Sequence, residues 1–84
     1  NAIGCRVEVE KMIATGRIDM VVETTSFIYV LELKLSNNGG IDAAAEQIRT
    51  KQYTEPFKAD KRKVVAIAIE LDDKGKGLVD WKEV

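Results

Sequence analysis

Apolar and polar residues repeat with two different periods along the chain. From Arg6 to Ala14, Val7 and Val9 alternate with Glu8 and Glu10, the period-two pattern of a half-exposed strand, and Thr15-Gly16 supplies the turn that ends it. Its charges suit a sheet edge. Arg17 to Thr24 predicts a second strand and Phe27 to Leu35 a third, close enough in sequence to form a hairpin. Asn37-Asn38-Gly39-Gly40 then breaks the alternation. Asp42 stands before Ala43-Ala44-Ala45 as an expected helix N-cap, with Glu46 in the first turn, and a helix is expected to run to about Tyr53. Its apolar stripe, Ile41, Ala44, Ala45 and Ile48, is narrow and made of small residues, so it can lie close against a sheet. Pro56 marks the end of this region.

Lys63 to Leu71 is apolar without alternation until Glu70, as expected of a strand covered on both faces. Asp72 to Gly77 is a polar turn, and Leu78 to Glu83 a last strand. The order β-β-β-α-β-β predicts an α/β domain. It would contain an antiparallel meander, one right-handed crossover to a parallel neighbour and a final hairpin, giving a mixed five-stranded sheet of order 1-2-3-4-5.

Composition narrows the chemistry. Eighty-four residues fit one domain with a thin core. No apolar run approaches the roughly 20 residues of a membrane helix. The first residue is Asn1 and no leader pattern opens the chain, so the sequence reads as a fragment of a longer protein. Cys5 is the single cysteine, which excludes an internal disulfide and a four-cysteine zinc site and suggests a cytoplasmic setting. Histidine is absent, so Ser-His and Cys-His nucleophilic pairs are excluded. Carboxylates and lysine must carry any acid, base or metal chemistry. Thirteen basic and fourteen acidic residues leave a net charge of −1, so contact with phosphate would need a local patch or another domain.

Three charges occupy apolar surroundings: Asp19 beside Ile18 and Met20-Val21-Val22, and Glu32 and Lys34 within Phe27 to Leu35. Alternation places Glu32 and Lys34 on one strand face with Ile28 and Val30. A charge on such a face costs several kcal/mol unless a counter-charge or a metal compensates it. Register decides whether Asp19 joins them. If Thr25-Ser26 is a two-residue loop between Thr24 and Phe27, Asp19 stands across from Glu32; if Glu23 pairs with Phe27, Asp19 faces Leu31 instead. In the first register two carboxylates and an ammonium meet near a sheet end, and Mg²⁺ or Mn²⁺ is the natural partner of two such acids. Lys34 would then orient a water or offset charge on a phosphoryl group. The alternative is a Glu32–Lys34 salt bridge on a solvated face with Asp19 merely nearby.

Gly16-Arg17-Ile18-Asp19, Tyr29-Val30-Leu31-Glu32-Leu33-Lys34-Leu35 and Ala44-Ala45-Glu46-Gln47-Ile48 resemble the PD-(D/E)XK nuclease superfamily over most of the chain. More narrowly, Gln47 to Phe57 and Asp60 to Ile69 resemble nuclease-like domains at the C-terminal ends of uncharacterised bacterial proteins with an AAA-type ATPase domain. The resemblance implies a restriction-endonuclease-like fold and Mg²⁺- or Mn²⁺-dependent hydrolysis of DNA phosphodiesters. It makes Asp19 the first metal ligand, Glu32 the second, the Leu33 carbonyl a third, and Lys34 the catalytic lysine. Gln47 takes the place of a supporting helix glutamine, with Tyr53 as its companion. Ile18 stands where the motif has proline, and six residues rather than four separate Gln47 from Tyr53. The superfamily's N-terminal helix is missing from this fragment, so a homodimer or packing against an N-terminal ATPase domain is expected to cover the exposed sheet face. A noncatalytic interaction or regulatory module on the same fold is the alternative.

Arg49, Lys51, Lys58, Lys61, Arg62 and Lys63 concentrate positive charge after the helix, as a solvated face or as contacts to a DNA backbone. Gly75-Lys76-Gly77 reads as a turn rather than a phosphate loop. Trp81 and Tyr29 read as core or interface aromatics, with no second aromatic expected beside either.

Overall fold

The computed structural model describes residues 4–84. Its strands are β1 (Arg6–Ile13), β2 (Gly16–Glu23), β3 (Phe27–Leu35), β4 (Lys63–Leu71) and β5 (Leu78–Glu83), with α1 (Gly40–Thr50) between β3 and β4. They form one sheet of order β1-β2-β3-β4-β5, antiparallel except for the β3–β4 pair, as alternation and the crossover predicted.

The β2–β3 hairpin closes on Thr25-Ser26. Thr24 donates its N–H to the Phe27 carbonyl at 2.8 Å, and Val21↔Val30 and Glu23↔Ile28 are opposed. Opposed residues share a face, so Val21, Ile28 and Val30 point together toward α1. That face is the core: Ile18, Val21, Ile28, Val30, Ala66 and Ala68 from the strands meet Ala44, Ala45 and Ile48 from the helix. Alanines on both sides allow the helix to sit close to the strands.

Two details of the helix differ from expectation. Asp42 does not cap it: α1 starts earlier, at Gly40, behind Gly39 at a left-handed φ of 94°. The capping acceptor instead comes from the sheet, where Oε1 of Glu70 takes the Ile41 N–H at 2.9 Å. Carboxylate at a helix N-terminus satisfies an orphan amide and the macrodipole together. The helix also ends sooner, at Thr50, and Tyr53 is reached through a turn in which its own N–H bonds the Ile48 carbonyl at 3.1 Å. Polar Gln52, at a left-handed φ of 52°, bends the chain there and drives the Tyr53 ring inward.

The opposite face of the sheet is apolar and less covered. Val7 opposes Val22 and Val9 opposes Met20, yet Val7 and Val9 are more than half exposed, as is Trp81 on β5. No helix among the described residues is long and apolar enough to cross a membrane.

Candidate metal centre

Asp19 sits where β2 parts from β3 and skips one pair with β1. The β1–β2 ladder omits the opposed pair Glu10 and Asp19, and Glu10 adopts a left-handed φ of 52° at the gap. On the other side, the β2–β3 ladder stops at Met20↔Leu31. Strict alternation also slips here, because Ile18 and Val21, three residues apart, both belong to the core. With no strand carbonyl available, the Leu33 N–H is taken by Oδ2 of Asp19 at 2.9 Å. A side chain thus replaces a ladder bond.

This contact brings Asp19 onto β3 between Glu32 and Lys34. Glu32 is 2% exposed, the one buried charged residue among those described. Its Oε2 lies 4.0 Å from Nζ of Lys34, while Oε1 has no hydrogen-bond partner. Burial foremost, with the neighbouring Asp19 charge second and Lys34 opposing both, pushes the Glu32 carboxyl up to about 7. Lys34 itself is partly open to solvent. The N–H and C=O of one residue leave an extended strand on the same side, so the Leu33 carbonyl is directed toward the edge where Asp19 bonds the amide.

Gln47 does not point at the carboxylates through its amide nitrogen. Nε2 donates to the Tyr53 hydroxyl at 2.8 Å, and that hydroxyl donates to the Arg17 carbonyl at 2.9 Å. Tyr53 is 1% exposed and ties the helix to β2 two residues before Asp19.

A model of the PD-(D/E)XK nuclease superfamily matches residues 2–81. The chain belongs to the PD-(D/E)XK nuclease superfamily. No curated protein and no solved structure matches it. PD-(D/E)XK nucleases generally use divalent metal ions, and the donor set here fits one. Two adjacent carboxylates and a carbonyl are hard oxygen donors, and the buried Glu32 oxygen without a hydrogen-bond partner is open to a cation. No group of three His, Cys, Asp or Glu side chains gathers among the described residues. Mg²⁺ typically takes only one or two carboxylates and keeps several waters, so two acids suffice.

The remaining sequence candidates separate. Arg62 is committed to the fold: its guanidinium bonds Asp60 and Glu23 at 2.8 Å each and the Thr24 carbonyl at 3.2 Å, holding the Asp60 carboxyl well below its usual range. Arg49 pairs with Glu46 and Lys58 with Glu55, whereas Lys51, Lys61 and Lys63 form no ion pair among the described residues. Gly75-Lys76-Gly77 is a turn, organised by Oδ1 of Asp72 accepting the Lys74 and Lys76 N–H groups. Tyr29 has an aromatic neighbour after all, because Phe27, two positions back on the same face, stacks on it at 5.6 Å. Trp81 is exposed rather than in the core. The capping role of Glu70 was missed. Its signal was present as the single charge interrupting an apolar strand, but the helix it serves is 29 residues away in sequence.

Proposed function

We infer that this domain hydrolyses DNA phosphodiester bonds with a Mg²⁺ or Mn²⁺ ion held by Asp19, Glu32 and the Leu33 carbonyl. The observation that carries this reading is Glu32: a buried carboxylate with one oxygen unpartnered, a second carboxylate beside it and an ammonium 4.0 Å away. Architecture alone gives no reason for it, since an apolar residue there would avoid the desolvation cost altogether. A bound divalent cation supplies Lewis acidity to a phosphoryl oxygen and lowers the pKa of an attacking water.

The chain's own residues do the positioning. Asp19, anchored through Oδ2 to the Leu33 amide, keeps Oδ1 for the cation, and Glu32 contributes Oε1. Lys34 donates hydrogen bonds to the attacking water or to the oxygens that gain charge at phosphorus. Gln47 spends its nitrogen on Tyr53, which leaves its carbonyl oxygen to accept a hydrogen bond from that water. Lys51, Lys61 and Lys63 are available for sequence-independent phosphate contacts. Cleavage of plasmid and linear DNA with Mg²⁺ or Mn²⁺, together with calorimetric titration by Mn²⁺, tests the reading. Activity is expected in the wild type and lost in Asp19→Asn and Lys34→Ala with unchanged circular dichroism. Undiminished cleavage in those variants overturns it.

One observation favours a second reading, that of a noncatalytic interaction module: the uncovered apolar sheet face carrying Val7, Val9 and Trp81. A second copy or an adjoining ATPase domain would seat there. A folded protein that binds no Mn²⁺ and sediments as a dimer supports this second reading; a Mn²⁺-binding monomer argues against it.

A further inference from the structure

The geometry points to Tyr53 as the positioning residue for Asp19: its hydroxyl, by holding the Arg17 carbonyl, fixes the stretch of β2 from which Asp19 reaches the Leu33 amide. The inference rests on the metal-centre reading above and gives Tyr53 a defined part in it.

Beyond Met20↔Leu31 the β2–β3 ladder has ended, while on the β1 side only the opposed Glu10 and Asp19 are skipped and pairing resumes at Lys11↔Ile18 and Met12↔Arg17. A strand that lacks ladder bonds at one residue is free to shift there unless something else holds it. On the side away from β1, where the ladder has ended, two side-chain contacts do. Asp19 bonds the Leu33 N–H at 2.9 Å, and the Tyr53 hydroxyl bonds the Arg17 carbonyl at 2.9 Å. A third tie lies next to the second, where the Thr15 hydroxyl bonds the Lys51 carbonyl. The segment leaving α1 therefore clips the start of β2, and Tyr53 supplies its buried member.

Burial makes this clip stiff. The Tyr53 ring is 1% exposed within the same cluster as Ile18, which is 0% exposed and separates Arg17 from Asp19. The hydroxyl is fully used, accepting from Nε2 of Gln47 at 2.8 Å while donating to Arg17. One oxygen thus sets the Gln47 amide and the β2 backbone together. A partner that orients a ligating carboxylate without touching the metal typically changes metal affinity by about 10- to 100-fold when removed.

The Leu33 amide reports the position of Asp19 without any metal or activity. In Tyr53→Phe, which keeps the ring, Leu33 amide exchange should accelerate by about 10-fold or more, as local opening predicts. Exchange at Ile28 and Val30 should stay slow. Mn²⁺ affinity of the same variant should fall by about 10-fold or more. Asp19→Asn calibrates the Leu33 response. Wild-type exchange at Leu33 with wild-type Mn²⁺ affinity in Tyr53→Phe overturns the inference. Should that variant not fold, 3-fluorotyrosine at position 53 keeps the hydroxyl but makes it a stronger donor. It should shift the Leu33 amide resonance, and an unmoved resonance overturns the inference equally. If the wild type binds no Mn²⁺ while Leu33 still responds, the metal reading fails and the positioning role stands.

Discussion

Glu32 on β3 and Glu70 on β4 are the same residue on neighbouring strands, on the same face of the sheet, and they meet opposite fates. Glu70 lies beside Lys34 in the parallel register but gives its oxygens to the Ser36 hydroxyl and the Ile41 amide. Those hydrogen bonds, the Ser36 one foremost, hold its carboxyl below the usual range. Glu32, two residues nearer the middle of the sheet, is buried with Oε1 unsatisfied and its carboxyl pushed up to about 7. One carboxylate is consumed in holding the fold together, and the other keeps an oxygen that no hydrogen bond of the described residues satisfies. The difference marks where chemistry can reside: a charge whose hydrogen bonds are complete serves the fold, whereas an incomplete one is open to a ligand.

The largest effect that would break this contrast is on turnover. Lys34→Ala and Asp19→Asn should each lower DNA cleavage by about 100-fold or more, read as initial rates at saturating Mg²⁺, while Glu70→Gln should leave the chemical step within several-fold. Next comes stability against pH in metal-free buffer. The raised Glu32 carboxyl contributes stability that is complete below about 4.5 and lost as pH rises through about 7. Glu32→Gln should therefore be more stable than the wild type at pH 8, on the order of 2 kcal/mol after allowing for solvent near Lys34, and indistinguishable from it at pH 4.5. Urea titrations at the two pH values measure this.

Glu70 should show the reverse sign. A lowered carboxyl contributes stability present above its ordinary value and lost as pH falls through its folded value. Glu70→Gln should lower the Tm at pH 7, with the gap to the wild type closing in acid. Ligand linkage sharpens the comparison. Mn²⁺ at 100 times its Kd should stabilise the wild type by about 2.7 kcal/mol by mass action and should do so to a similar extent in Glu70→Gln, but not in Glu32→Gln. Thermal melts with and without the ion would check it.

Much of the architecture was legible because it rests on periodicity. The bounds of β3, β4 and β5 follow directly from Phe27 to Leu35, Lys63 to Leu71 and Leu78 to Glu83, and of the two registers open in the sequence the structure takes the one with the Thr25-Ser26 loop, though its ladder stops at Met20↔Leu31, one pair before Asp19. What stayed hidden involves long-range partners. Asp42 satisfies every local criterion for a cap, yet Glu70 does the capping from across the crossover. The slip in β2 was equally invisible, since Ile18 and Val21 look regular until Tyr53 and Asp19 supply the bonds that strands would otherwise make. Asp19, Glu32 and Lys34 stood out as charges in apolar company, which is a statement about desolvation that sequence can make. The Gln47 to Tyr53 bond needed the turn after the helix, which no period encodes.

The glycine pair before α1 sets a limit on how this family member can vary. Gly39 and Gly40 both take left-handed φ, and a Cβ on Gly40 would stand 2.5 Å from Oε1 of Glu70. So tight a joint admits no side chain: Gly40→Ala would set a methyl against the carboxylate that caps the helix.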